Sequence, residues 1–319
     1  MKTIEFIVRD QKYNLANGWD QLSPAQYEAL ISDVDQMTTG KLSPAMVRIN
    51  YVCRAMGWNK RKIKGEDSFA NLAWIAEQVT FPFIIVYPDN DAALSDLDAE
   101  TRAKYKRIPP ERMQGHALSR YLCKLDYKFV LDSCFCAQLV PFVKIGTVLY
   151  PGYKVDTSFD VLTCSLTALQ YIEARALIGA TSDKLPLLAA ILYHPQPYES
   201  ISAHELAQSF SKLPIATLQA IAFNFQAFNN YLLTQTPFAL LTEGEAGEAK
   251  AISTGALESL YNLSGDGHGD VEQMNVIKYL TIIRKKLIES VRSLHAAGLD
   301  KAKISTETGF PISTIAKII

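Results

Sequence analysis

The stretch from Ser202 to Thr234 constrains the fold of this chain more than any other part of the sequence. Glu205 follows Ser202 at the spacing of a capping box, which predicts a helix from Ala203 to about Lys212. Pro214 favours the first position of a second helix, because a proline there removes no hydrogen bond that the helix needs. The two predicted helices therefore follow each other with only a short turn between them.

The second of these helices is predicted to be buried on two sides. Its main apolar stripe recurs at steps of three and four residues, which is the spacing of one helical face: Ile215, Leu218, Ile221, Ala222, Phe225, Phe228 and Leu232. A second stripe runs beside the first and consists of Phe223, Ala227 and Tyr231. A helix with two apolar stripes needs neighbours on both, so we expect it to be the central helix of the larger domain.

Composition places the chain among ordinary globular proteins. Its 319 residues suffice for one large or two smaller domains with their own cores. The net charge of -1 argues against a surface coated with basic groups for nucleic acid. Five cysteines without paired spacing favour free thiols in a reducing compartment. Because neither a signal peptide nor a membrane-spanning run is visible, we expect a soluble protein with no membrane partner.

The first half of the chain is predicted to contain a hairpin, several helices and a few strands. Alternation from Thr3 to Leu15 predicts a β-hairpin. Ser23 and Ser43 each precede a proline and should cap helices that run to about Met37 and Met56. Three later segments are predicted as a helix, an edge strand and a set of two or three strands: Ser68–Gln78, Val79–Tyr87 and Tyr127–Tyr150.

These elements predict a fold that is mainly α with minor β (α+β), with a small central sheet and a C-terminal trihelical unit. The predicted domains are an N-terminal hairpin with helices, a polar insert, a β-rich segment completing the first domain, a helical domain, and a long helix with the trihelical unit: 1–88, 89–110, 111–159, 160–264 and 271–319. The polar insert favours a solvated arm or a helix without a buried face. Glycines in the segment Gly265–Asp270 predict a flexible joint.

The opening of the helical domain is similar to the opening of the first domain. Leu166–Tyr171 and Leu22–Tyr27 both place a hydroxyl residue three positions before a glutamine, which a tyrosine then follows. This similarity suggests a distant internal duplication. Repeated use of the same capping chemistry would also produce part of the match.

The segment after Val271 is predicted to form a long helix that ends near Ala297. Apolar residues in it are spaced by alternating steps of four and three, with Ser290 as the one polar exception: Val276, Leu280, Ile283, Leu287 and Leu294. This seam is short for a coiled coil but suits docking against a partner helix. We therefore expect self-association, or docking of another protein, through these side chains.

The C-terminal stretch carries the most specific local pattern. Gly298 to Ile304 predicts a turn into a short helix, Thr308 to Phe310 a tight turn around Gly309, and Pro311 to Ile319 a second helix. This register resembles the helix-turn-helix of resolvase-type DNA-binding domains. Its small core would consist of Ile304, Ile315 and Ile318.

The helix-turn-helix resemblance implies that the last helix would lie in a major groove. The candidate DNA-binding residues are Lys301, Lys303, Ser313, Thr314 and Lys317. Between Asp270 and Ile319, eight basic residues stand against five acidic ones, which mildly favours contact with phosphates. A trihelical unit that docks another protein is the alternative interpretation of the same pattern.

No catalytic or cofactor-binding signature is present in the sequence. Glycine-rich phosphate loops, the nucleophile elbow and the zinc-protease helix are all absent. Cys134 and Cys136 would share one face of a strand, but no second pair stands at zinc spacing. The basic run Asn59–Lys64 is a candidate phosphate contact or simply a solvated loop. We expect no enzymatic activity, no metal and no cofactor.

Two blocks of the chain carry a resemblance to a known class of proteins. The first comprises Tyr13-Asn-Leu and Trp19–Tyr27 after the hairpin, and the second is Leu185–Pro195. They resemble proteins of the structural gene modules of tailed phages and related prophages, which include tail assembly proteins. The resemblance implies a non-enzymatic structural or assembly protein in the host cytoplasm or the virion, with phage structural or assembly proteins, or further copies of itself, as partners. The alternative is a DNA-binding regulator or packaging factor that uses the C-terminal unit.

Overall fold

The computed structural model describes residues 3–8, 10–86, 97–105, 128–242 and 270–319. The chain divides into two compact units, Met1–Asp132 and Ser133–Ile319. Helices dominate the described residues, and the strands among them form separate two-stranded antiparallel sheets. The predicted class, mainly α with minor β, is confirmed. The expected central sheet takes the form of separate strand pairs.

The first unit joins an N-terminal hairpin to three helices and a second strand pair. Its described elements in chain order are β1 (Thr3–Val8), β2 (Gln11–Ala16), α1 (Pro24–Thr38), α2 (Pro44–Ala55), α3 (Glu66–Glu77), β3 (Phe83–Val86), α4 (Ala99–Tyr105) and β4 (Lys128–Leu131). β1 pairs with β2, and β3 pairs with β4. The hairpin, the first three helices and the edge strand therefore confirm the predicted elements.

Local capping chemistry fixes where α1 and α2 begin. The Ser23 hydroxyl accepts from the Gln26 amide at 3.3 Å, and the Gln26 side chain accepts from the Ser23 amide at 2.9 Å. Ser43 accepts from the Met46 amide at 3.2 Å. Each hydroxyl accepts a hydrogen bond from a backbone amide that the first helical turn leaves unpaired. The local sequence alone therefore determines where these two helices begin.

Aromatic side chains form much of the core of the first unit. Tyr27 and Tyr51 are fully buried, and the Tyr51 hydroxyl donates to the Ala16 carbonyl at 2.7 Å. This bond ties α2 to the end of β2. The rings of Trp19 and Phe81 meet edge to face with centroids 5.0 Å apart, which is a favoured geometry for aromatic pairs.

The polar insert is described only in part. α4 lies inside it, and none of its described side chains is buried, as expected for a helix without a core face. The rest of the insert, Cys123 and the predicted joint at 265–269 lie outside the described residues.

The second unit contains the remaining strands and helices. Its described elements in chain order are β5 (Phe142–Ile145), β6 (Val148–Pro151), β7 (Val155–Asp156), β8 (Thr163–Cys164), α5 (Ala168–Ala176), α6 (Leu185–Leu192), α7 (Ser200–Phe210), α8 (Ile215–Thr234), α9 (Val276–Ala296), α10 (Lys301–Thr308) and α11 (Ile312–Ile318). β5 pairs with β6, and β7 pairs with β8.

The central helix α8 is buried on two sides, as predicted. The buried members of the predicted stripes are Leu218, Ile221, Phe225, Ala227, Phe228 and Leu232. Ile215 departs from the prediction, because it lies in the first turn and is 53% exposed. Two asparagines inside the apolar surface, Asn224 and Asn229, are also buried. Burial of polar side chains requires hydrogen-bond partners, and both asparagines have them.

The helix before α8 starts earlier than its sequence predicts. α7 begins at Ser200, and its N-cap Glu199 makes no side-chain capping bond. The predicted capping box of Ser202 and Glu205 is therefore wrong. The preceding Tyr198 is fully buried and its hydroxyl donates to the Glu173 carboxylate, so tertiary packing fixes the chain just before the helix.

An extended segment, residues 133–140, is held against α8 by side-chain amides. Asn224 accepts from the Leu139 amide and donates to the Ala137 carbonyl, each at 2.7 Å. Asn230 donates to the Ser133 carbonyl at 3.0 Å. These bonds hold residues 133–140 against α8, whereas the sequence predicted that the segment 111–159 completes the first domain. Its described residues up to Asp132 belong to the first unit, and those from Ser133 belong to the second.

The long helix α9 begins at Val276 instead of Val271. Asn275 caps it by accepting from the Ile277 amide at 3.0 Å. The residues just before it lie along the start of α5, where the Ala168 amide donates to the Met274 carbonyl at 2.7 Å. Backbone pairing with α5 therefore keeps these residues out of the helix.

The similarity between the two domain openings extends to their structure. Thr167 and Gln170 form a capping box at the start of α5, as Ser23 and Gln26 do at the start of α1. The tyrosine that follows each glutamine is buried in both units. The shared feature is thus a capped helix with a buried tyrosine in its first turn.

We expect Asn224→Ala to lower the free energy of unfolding of the second unit by about 2 kcal/mol or more, because it leaves the buried Leu139 amide and the partly buried Ala137 carbonyl without partners. Asn230→Ala is the matched control, since Asn230 lies on the same helix and contacts the same segment but is only partly buried. Urea denaturation monitored by fluorescence and circular dichroism measures both. Equal losses for the two variants would contradict the role assigned to Asn224.

Candidate functional site

The predicted seam on α9 is divided between two internal cores and a partly exposed middle. Val276 and Leu280 are buried in the second unit, where the 3-10 turn Pro237–Leu241 also packs on α9. Leu294 packs against a separate cluster near the C-terminus. Val276 and Leu280 are therefore internal, and Leu294 is partly buried against the C-terminal cluster.

The middle of the seam remains partly exposed. Ile283 and Leu287, which we call the α9 stripe, are neither fully buried nor part of the C-terminal cluster. They lie one helical turn apart on the same face. The α9 stripe is thus the part of the predicted docking seam that a partner could still contact.

Basic side chains flank the α9 stripe. Arg284 and Lys286 project about 60–100° to either side of it, given about 100° of rotation per helical residue. Arg284 is partly buried, and its Nε has no hydrogen-bond partner among the described residues. Lys286 is exposed. Sequence reasoning missed this pair because it followed apolar spacing only, although both charges stand next to stripe residues.

The C-terminal residues form the predicted trihelical unit. The end of α9 packs with α10 and α11 around a core of Val291, Ile304 and Ile315, all fully buried. Leu299, Phe310 and Ile318 surround this core and are partly buried. The prediction of Ile304 and Ile315 as core residues is confirmed, Ile318 packs against this core from its edge, and Val291 is a member that the sequence did not reveal.

Two local features close the turn between α10 and α11. Gly309 adopts a left-handed conformation with φ of 73°, which is strained for any residue with a side chain. The Ser305 hydroxyl donates to the Phe310 carbonyl at 2.6 Å. Asp300 caps the start of α10, where its carboxylate accepts a hydrogen bond from the Lys303 amide at 2.8 Å. Glycine at the end of α10 and the cap at its start thus set the length of this helix.

The candidate DNA-binding residues do not all lie on the surface. Lys301, Lys303, Ser313 and Lys317 are exposed. Thr314 is only 1% exposed and lies beside Ile315 in the interior of the unit, so it is not available to read a base. Ile312 is 52% exposed and begins α11, next to the exposed Ser313. The exposed face of α11 is therefore short and mostly uncharged.

The cysteines in the described part of the chain are free thiols. Cys53 and Cys164 are buried free thiols, and burial raises the pKa of Cys164 to about 12, which disfavours the reactive thiolate. Cys134 and Cys136 are partly exposed and lie outside any strand, contrary to expectation. No group of three or more His, Cys, Asp or Glu side chains in the described ranges could hold a metal ion.

Two further surface findings bear on partners. The basic run after Trp58 forms an exposed 3-10 turn at Lys60–Lys62, in which Asn59 accepts from the Arg61 amide at 3.0 Å. Among the described residues, no helix has the length and apolar character that a bilayer span requires.

No known protein family, curated protein or solved structure matches this chain.

We expect Ile304→Ala to destabilise the trihelical unit by about 2–5 kcal/mol, because it opens a cavity in a core of only a few side chains. Ile312→Ala makes the same chemical change at an exposed site and should cost about 0.5 kcal/mol or less. Hydrogen exchange at the amides of α10 and α11 measures the effect. Unchanged protection in Ile304→Ala would show that this core does not hold the unit together.

Proposed function

We propose that this protein is a non-enzymatic structural or assembly protein of a tailed phage or prophage that acts through protein–protein contacts. The observation that carries the proposal is the α9 stripe, Ile283 and Leu287, which remains partly exposed between two buried ends of the same helix. The resemblance of the two sequence blocks to phage structural-module proteins supports the phage context. On this proposal the protein acts in the host cytoplasm or in the virion.

The position of the α9 stripe favours a helical or loop partner over a small ligand. The helix is held at both ends by core side chains, Val276 and Leu280 on one side and Val291 on the other. Its middle is therefore presented on a rigid support, which reduces the entropy that binding would cost. Arginine is enriched at protein interfaces, and the buried centre of an interface is more apolar than its rim.

We expect Leu287→Glu to weaken self-association or partner binding by about tenfold or more, because an ionised carboxylate is costly to bury in an apolar contact. Ile201→Glu is the control, since Ile201 is 79% exposed on α7 and also gains one negative charge. Sedimentation velocity and pull-down with proteins of the same gene module measure the effect. Unchanged association in Leu287→Glu would defeat the proposal.

DNA binding through the trihelical unit is the second candidate function. The observation that favours it is the three-helix arrangement around Val291, Ile304 and Ile315, with Gly309 at the turn, as in helix-turn-helix domains. Lys301, Lys303 and Lys317 would contact phosphates. In this case the protein would be a regulator or a packaging factor.

We expect, if this second function holds, that Lys303→Gln and Lys317→Gln each reduce the slope of log affinity against log salt by about 1, because each lysine neutralises one phosphate. Lys184→Gln removes an exposed lysine outside the trihelical unit and should leave the slope unchanged. Fluorescence anisotropy with duplex DNA at several salt concentrations measures the slopes. Identical slopes for all three variants would contradict DNA binding by this unit.

A further inference from the structure

The loop between β7 and β8 presents the most exposed apolar side chain among the described residues. Phe159 is 97% exposed, and Val161, two residues later, is 58% exposed. Single exposed apolar residues are common on protein surfaces, but a phenylalanine in full contact with water is the kind of side chain that anchors interfaces.

The backbone of this loop presents Phe159 to solvent in an unfavourable conformation. Phe159 and Asp160 both have a φ of 58°, in the left-handed region that residues with side chains rarely adopt. The Asp156 carboxylate accepts from the Ser158 amide at 2.9 Å and from the Ser158 hydroxyl at 2.6 Å, which fixes the start of the turn. The aromatic ring is therefore presented by a defined turn of the chain.

Acidic groups flank the exposed ring. Asp156 and Asp160 stand on either side of Phe159 and are both exposed. The hydrogen bonds from Ser158 lower the pKa of Asp156, so its carboxylate is ionised at neutral pH. An apolar anchor between two carboxylates complements an apolar surface flanked by cations. Negative charge at this position opposes docking on an anionic membrane surface.

This chain carries such a surface itself. The α9 stripe, Ile283 and Leu287, is partly exposed and apolar, and Arg284 and Lys286 flank it on both sides. Like Phe159, the stripe belongs to the second unit. Because Phe159 is almost fully exposed, it does not fill the stripe of its own chain.

We propose that Phe159 of one copy docks on the α9 stripe of a second copy, with Asp156 and Asp160 facing Arg284 and Lys286. This inference rests on the proposed function, because it identifies the partner of the α9 stripe as a further copy of the chain. The two contacting surfaces differ, so each copy carries both. Two copies that exchange both contacts close as a two-fold dimer, whereas contacts made to different copies generate rings or open filaments.

Mixing two variants tests this arrangement in the full-length protein. Phe159→Ser removes the anchor and keeps the stripe, whereas Leu287→Glu removes the stripe and keeps the anchor. The parent protein should form dimers or larger species as its concentration rises, and each variant alone should be monomeric. An equimolar mixture of the two variants should form a 1:1 complex, because one intact contact remains between them. Sedimentation velocity and mass photometry distinguish these species.

Controls separate loss of contact from loss of folding. Ile201→Ser removes an apolar side chain that is also largely exposed, and it should assemble like the parent. Circular dichroism should show unchanged helix content and unchanged thermal unfolding in all variants. A variant that fails this check is replaced by Phe159→Ala or Leu287→Ser, which remove the same contacts with smaller changes.

Charge reversal tests the polar part of the contact. Asp160→Lys and Lys286→Glu should each weaken self-association by roughly tenfold or more, because each brings like charges together. The double variant, with both changes in one chain, should recover most of the lost affinity. Recovery supports direct apposition of the two sites, and further weakening in the double variant overturns it.

Four outcomes overturn the inference: a parent protein that stays monomeric, Phe159→Ser that assembles like the parent, Ile201→Ser that loses assembly as Phe159→Ser does, or a variant mixture without a 1:1 complex. The second outcome, with assembly still lost in Leu287→Glu, leaves the proposed function intact, since the α9 stripe would then contact another surface. If Leu287→Glu keeps both its assembly and its binding to partner proteins, the proposed function itself is defeated.

Discussion

The second unit depends on the hydrogen bonds that the buried Asn224 makes to an extended segment of the chain. Residues 133–140 lie against an apolar helix without a partner strand, so their backbone groups would lose water and gain nothing in return. The Asn224 amide pairs with both Leu139 and Ala137. The Asn230 side chain donates to the Ser133 carbonyl, and the Tyr193 hydroxyl donates to the Val140 carbonyl. These bonds allow α8 to be covered on this side as well.

Much of α8 is covered by the second unit, whereas α9 contributes both to internal cores and to the surface. At 21 residues, α9 is about 31 Å long at 1.5 Å per residue. Its first turns belong to the core around Val276 and Tyr279, and Val291 belongs to the trihelical core. The α9 stripe lies between these cores, and this position is what makes it a candidate contact for another molecule.

Much of the trihelical unit could be predicted from sequence, but its surface could not. Gly309 and Ile304 are recognisable because a left-handed turn favours glycine and a small core needs apolar anchors. Thr314 is polar and was expected on the surface, yet the rotation of α11 turns it inward. The apolar residues with heptad spacing do lie on one helix, α9. The spacing could not show which of them the chain itself covers, because coverage depends on residues distant in sequence.

The sequence by itself determined the class of the fold, the two-sided burial of α8 and the starts of α1, α2 and α5, because the hydroxyl caps and helical periodicity act within a few residues. Only the tertiary structure decided the start of α7, where the buried Tyr198 and not Ser202 fixes the chain. It also decided that Ser133 begins the second unit and that the Phe159 side chain is exposed to solvent. The physical reason is that caps and periodicity are local interactions, whereas burial is set by partners far along the chain.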